Sequence, residues 1–162
     1  ILIINVFLAF LFLGGCDVSS NDDIVNECYS KLIEALNSND LTKIESLFAK
    51  NIVNNINDFE NQTIRLLDYY QGESVSYKKY SIGITEDKDK KIYAKYFNMS
   101  LDITTTEEIY RIATIWYVDD TNDNNNIGIW SLYIIKFSND LYPEKAYGGD
   151  GLWTNGIHIG KK

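Results

Sequence analysis

Proline occurs once, at Pro143, and histidine once, at His158. So little proline argues against long unstructured linkers within the chain. One histidine and two cysteines, Cys16 and Cys28, supply a zinc site poorly, and no Ser-His-Asp set can be argued from residue order. Basic blocks are missing too: 15 Lys and Arg stand against 23 Asp and Glu, for a net charge of −8. Such a surface repels nucleic acid and anionic lipid heads, so nucleic acid is not an expected partner. Gly148-Gly149-Asp150-Gly151 lacks the G-x-G-x-x-G spacing and no strand-to-helix junction surrounds it, so no nucleotide cofactor is expected. The longest apolar run, over residues 1–13, is shorter than the about 20 residues that a transmembrane helix needs.

What is present is an ordinary globular composition: 45% apolar and 23% charged residues, with 12 tyrosines and 3 tryptophans. At 162 residues the chain has room for one domain with a proper core. Cys28 lies in a helical pattern with no histidine near it in sequence, and a lone cysteine on an apolar face behaves as a small hydrophobe.

The run ILIINVFLAFLFL, followed by Gly14, Gly15 and Cys16, has the length of a signal-peptide core. Leu13-Gly14-Gly15-Cys16 resembles the lipobox of bacterial lipoproteins. Two glycines let an extended backbone enter a narrow protease site, and the cysteine sulfur forms the thioether to diacylglycerol. The resemblance implies a signal peptide over residues 1–15 whose start precedes this sequence, lipidation of Cys16, and a short tether to residue 21. It also implies a single domain over 22–162, held on the extracytoplasmic face of the cell membrane by its lipid, since two or more acyl chains anchor stably.

Along the domain the apolar period is first helical. Ser20 or Asn21 can cap a helix from about residue 22 to 37, in which Ile24, Cys28, Leu32 and Leu36 form one stripe. Asp40 caps a second, short helix, and a third pattern runs from about Ile52 to Tyr70, where Gly72 stops it. From Val75 the period becomes two, predicting strands near 75–85, 91–103, 107–119 and 127–138, separated by short turn segments. Connections this short make an antiparallel meander. Several strands are apolar on both faces, so one face should take the helices and the other cover a second protomer or line a cavity.

Three helices followed by a curved four-stranded antiparallel sheet define an α+β domain, and that order resembles the cone of the NTF2-like (cystatin-like) superfamily. The helix end Ile44-Glu45-Ser46-Leu47-Phe48-Ala49-Lys50-Asn51 is similar to one common there. Ile129-Trp130-Ser131-Leu132-Tyr133, Tyr147-Gly148-Gly149-Asp150-Gly151-Leu152-Trp153 and Gly156-Ile157-His158-Ile159-Gly160 resemble an uncharacterised family of bacterial lipoproteins, DUF5104. That likeness implies a location and a fold but no reaction.

The segment from Ala146 to Gly160 gathers five glycines around Asp150, Trp153 and His158, with Tyr147 at its start. One reading makes Asp150 and His158 an acid/base pair at the mouth of the cone with Trp153 as a stacking wall; the other folds the tail along the sheet with Trp153 filling the core. Arg111, mid-strand among aromatic residues, could bind a ligand carboxylate, pair with a local glutamate or snorkel to solvent. The run from Asp120 to Ile127 partly mimics a calcium loop, but Asn125 replaces its turn glycine and Ser131 its bidentate glutamate, so Asx turns in a hairpin loop explain it better. No metal is expected.

The function expected is that of a non-catalytic binding or accessory domain of the cell envelope. Its ligand would be a small molecule, a glycan or an envelope protein held on the tyrosine-rich sheet, with a homodimer through the sheet as a further expectation. The alternative is a small-molecule lyase or isomerase using an acid/base group in the cone cavity.

Overall fold

A computed structural model describes residues 20–89, 92–140 and 154–160. Helix α1 spans Asn21–Ser38. Ser20 and Asp23 close a capping box, the Ser20 hydroxyl accepting from the Asp23 N–H while the Asp23 carboxylate accepts from the Ser20 N–H. The helix ends at Asn39, whose φ of 48° lies in the left-handed region that short polar side chains tolerate. Asp40 then caps α2, Leu41–Leu47, by accepting from the Lys43 N–H.

The third helical pattern forms two helices rather than one, α3 at Lys50–Asn55 and α4 at Phe59–Tyr69. The break falls at Ile56-Asn57-Asp58, where Asn and Asp offer the backbone competing hydrogen bonds. Asp58 spends its carboxylate on Asn61 and Arg65 of the following turns. No helix among the described residues is long and apolar enough to cross a membrane.

Five described strands follow: β1 Ser74–Asp89, β2 Ile92–Thr105, β3 Ile109–Asp120, β4 Gly128–Lys136 and β5 Gly156–Ile159. They lie side by side in sequence order in an open sheet. β1 to β4 form the expected antiparallel meander, while β5 adds a parallel pairing on β4, so the sheet is mixed. Sequence reading missed β5 because the three residues between Gly156 and Gly160 carry too little period to register as a strand.

Strand pairing sets which residues share a face. Leu101 opposite Ile112 opposite Ile134, and Ile103 opposite Tyr110, belong to the core face, all fully buried against the helices. Val25, Cys28, Leu32 and Leu36 of α1, Ile44 of α2, Ile52 of α3, and Phe59 and Leu66 of α4 complete that core. Burial of each large apolar side chain there contributes roughly 1.5–3 kcal/mol. The second face of β3 and β4 is buried as well, at Arg111, Ala113, Ser131, Tyr133 and Ile135.

One glycine is required by contact. Gly128 has φ +126°, and a Cβ there would lie 2.7 Å from the Ala49 nitrogen and 2.8 Å from the Leu47 oxygen. The α2–α3 junction presses on the start of β4 at this point, where Ala49 N–H donates to Ile129 O at 3.0 Å. Only a residue without a Cβ lets the two backbones approach so closely.

Candidate functional site

Arg111 sits on the second face of the sheet because the β2–β3 register places it opposite Asp102. Its Nε and Nη2 donate to the two Asp102 oxygens at 2.7 and 2.9 Å, a fork-to-fork pair. Nη1 donates at 3.1 Å to Asp140, which the 3-10 turn Phe137–Asn139 delivers after β4. The Tyr80 and Phe137 rings lie 4.6 and 4.9 Å from the guanidinium carbon. Burial pulls the Arg111 pKa down, but the Asp102 and Asp140 carboxylates outweigh it and hold the group above its ordinary value. Two carboxylates therefore already occupy the guanidinium edge that a ligand carboxylate would need, and the arginine locks β2, β3 and the end of β4 together.

His158 lies on β5 opposite Tyr133 of β4, the rings stacked at 4.4 Å and 20°. Its Nε2 stands 3.1 Å from the Thr154 hydroxyl, the Thr154 carbonyl and the Asn155 carbonyl. Carbonyl oxygens only accept, so these contacts favour the tautomer with its proton on Nε2. Thr154 N–H donates to the Tyr133 hydroxyl at 2.6 Å, closing a ring of contacts that holds the imidazole on the tyrosine. Cys16, Tyr147, Asp150 and Trp153 lie outside the described residues.

Asp120 accepts from the N–H groups of Asn122 and Asp123 and from the Asn126 amide, while Asp123 accepts from Asn125 and Asn51. The Asn126 amide lowers the Asp120 pKa most, and the Asn51 amide does the same for Asp123. These are Asx turns whose carboxylate oxygens are engaged by amide donors, with Asn51 tying the loop to α3. Cys28 is buried, and desolvation pushes its thiol up to about 11, so it packs as a small hydrophobe.

Sequence reading missed a groove between α1 and β1. It encloses about 560 Å³, opens to solvent, and is lined by Ser30, Ile33, Glu34, Asn37, Ser38 and Tyr77. Asn37 closes one end, its Oδ1 accepting from the N–H and hydroxyl of Ser74 at 3.0 and 2.8 Å. The groove therefore combines an exposed tyrosine and an isoleucine with hydroxyl, amide and carboxylate groups. Its sequence trace was slight: Ile33 falls beside the main apolar stripe of α1, and Tyr77 lies in a different element. The Asp102–Arg111–Asp140 set was missed for the same reason, its members coming from separate elements. One signal was legible, an acid at Asp102 between the apolar Leu101 and Ile103.

The model of a family described as a domain of unknown function, DUF5104, matches residues 31–137. No curated protein matches the chain.

Proposed function

The chain belongs to the DUF5104 family, and since that family is described only as a domain of unknown function, we propose a role from the site itself: an extracytoplasmic lipoprotein domain, anchored through Cys16, that binds its ligand without transforming it. The observation that carries the binding role is the open α1–β1 groove, where Tyr77 offers a ring face beside Asn37, Glu34, Ser30 and Ser38. An aromatic face with nearby hydrogen-bonding groups suits a sugar ring, a small polar molecule or a peptide segment of an envelope protein. Openness to water favours binding over chemistry that must exclude water. The anchor reading rests on Leu13-Gly14-Gly15-Cys16, and the helices described on one face of an open sheet support an NTF2-like cone.

Two measurements on the full chain test these parts separately. Expressed in a bacterial host with a palmitate analogue, the protein takes up label and enters the detergent phase, and Cys16→Ala abolishes both. In detergent solution, titration with soluble peptidoglycan fragments shifts the amide resonances of Ser30, Ile33, Asn37 and Tyr77. Unlabelled wild-type protein ends the anchor reading. Shifts clustered around His158 instead, with turnover of the fragment, end the binding reading in favour of the lyase or isomerase class.

A further inference from the structure

β1 runs for 16 residues, about three times the length of a common strand, and has one strand neighbour, β2, among the described residues. On this strand, whose other edge pairs with no described strand, Tyr77, Ile82 and Ile84 are 44%, 40% and 47% exposed. Long edges with apolar side chains recruit another strand unless they are blunted; β1 contains no proline, and its blunting elements are a bulge and three lysines, Lys78, Lys79 and Lys88, whose charge the acids Glu86 and Asp87 of a facing strand would offset. Its pairing with β2 slips between Lys79 and Ser81, which makes Tyr80 a bulged residue. The bulge keeps Lys79, opposite Leu101, on the same face as Ile82 and Ile84, opposite Met99 and Phe97.

We propose that two copies of this chain join β1 to β1, antiparallel, about a two-fold axis through Gly83. Counting outward from that axis and passing over the bulged Tyr80, Ile82 faces Ile84 of the second copy, Lys79 faces Glu86 and Lys78 faces Asp87. Symmetry repeats each pair, so the junction carries two apolar pairs and four opposite-charge pairs. Gly83, which would meet itself on the axis, has no side chain to obstruct the approach. Neighbouring registers lack this match. Centring on Ile82 sets Lys79 against Ile84 and Lys78 against Thr85; centring on Ile84 sets Lys79 against Lys88, a repulsive pair. Glu86 already meets Lys88 at 3.1 Å and Lys95 at 3.7 Å within its own chain, and Lys79 already donates to Asn26 of α1 and lies 5.7 Å from the Tyr29 ring centre, so a Lys79–Glu86 contact between copies adds to both existing sets. The occupant that matches this edge is a second copy of this chain, and the product is one continuous sheet across both. This inference does not rest on the anchor or ligand readings above.

Sedimentation of the full chain in detergent gives the dimer mass, and Lys79→Glu raises the dimer dissociation constant at least ~10-fold, because each exchange acts at two symmetric places. Lys79→Glu combined with Glu86→Lys restores dimerisation. Seven residues apart on one strand, these two side chains cannot meet within a chain, so recovery requires contact between copies. Gly83→Cys forms an intermolecular disulfide under mild oxidation above the background of the parent chain, whereas Thr85→Cys, off the axis, does not. A monomer at about 100 μM, a dimer indifferent to Lys79→Glu, or a double exchange that fails to recover while circular dichroism shows a folded chain overturns the proposal.

Discussion

Removing the Arg111 side-chain charge should cost the protein a large part of its stability. The guanidinium is 1% exposed, and its partners Asp102 and Asp140 are 16% and 7% exposed. Arg111→Met keeps most of the side-chain volume but leaves two poorly solvated carboxylates facing each other. Breaking a buried pair by removing one partner costs roughly 3–5 kcal/mol. Water still reaches part of Asp102, so the lower end applies, about 3 kcal/mol. With a urea dependence of about 2 kcal/mol per M, the unfolding midpoint should fall by about 1.5 M. Equilibrium urea unfolding followed by tryptophan fluorescence measures this directly. Replacing Arg111, Asp102 and Asp140 together by apolar residues of similar volume should recover most of the loss, because the cost comes from unpaired charge. A midpoint shift below about 0.3 M for Arg111→Met would refute the reasoning. It would also free Arg111 for the ligand-binding role that its position among aromatic residues first suggested.

Gly128→Ala should destabilise by about 2–4 kcal/mol, since the new Cβ meets the Leu47–Ala49 backbone and φ is positive; a thermal melt within 1–2 °C of wild type would contradict this. The Asx turns should loosen in acid. Asp120 and Asp123 have folded-state pKa values below 3.8, so their contribution is present above the unfolded value and lost as pH falls through the folded one. Amide exchange at Asn122, Asp123 and Asn125 should therefore hold steady from neutrality to about pH 4 once corrected for intrinsic rates, and lose protection below it. Cys28, buried and with its thiol pushed up to about 11, should resist thiol reagents at pH 8 until the protein unfolds; prompt labelling of native Cys16→Ala protein would disprove its placement in the core.

Local signals carried much of the architecture. A cap at Ser20 or Asn21 marked the start of α1 to within a residue, and the stripe Cys28, Leu32 and Leu36 marked its buried side, because capping and helical period are properties of near neighbours. The change of period at Val75 located β1, and the short segment between the strands predicted at 91–103 and 107–119 was legible as a turn. Its detail was not: Thr105 Oγ1 accepts from the N–H groups of Glu107 and Glu108 and donates to the Gln71 carbonyl just past α4, a contact across 34 residues. The split of α3 from α4 was overlooked because Ile52, Ile56, Phe59 and Leu66 keep a roughly helical spacing across the break at Asn57-Asp58.

By itself, then, the sequence determined the α+β order, the meander from β1 to β4, the role of Cys28 as packing, and the N-terminal resemblance to a lipobox. Each follows from composition or from residues a few positions apart, where periodicity and capping act. Tertiary structure alone decided that Arg111 is bound between Asp102 and Asp140, that His158 stacks on Tyr133, and that α1 and β1 leave a groove between them. It also decided where the bulge at Tyr80 falls, and with it which charges on the β1 edge share a face. These arrangements join residues from separate elements, and strand register, which no local pattern encodes to the residue, determines whether such residues meet.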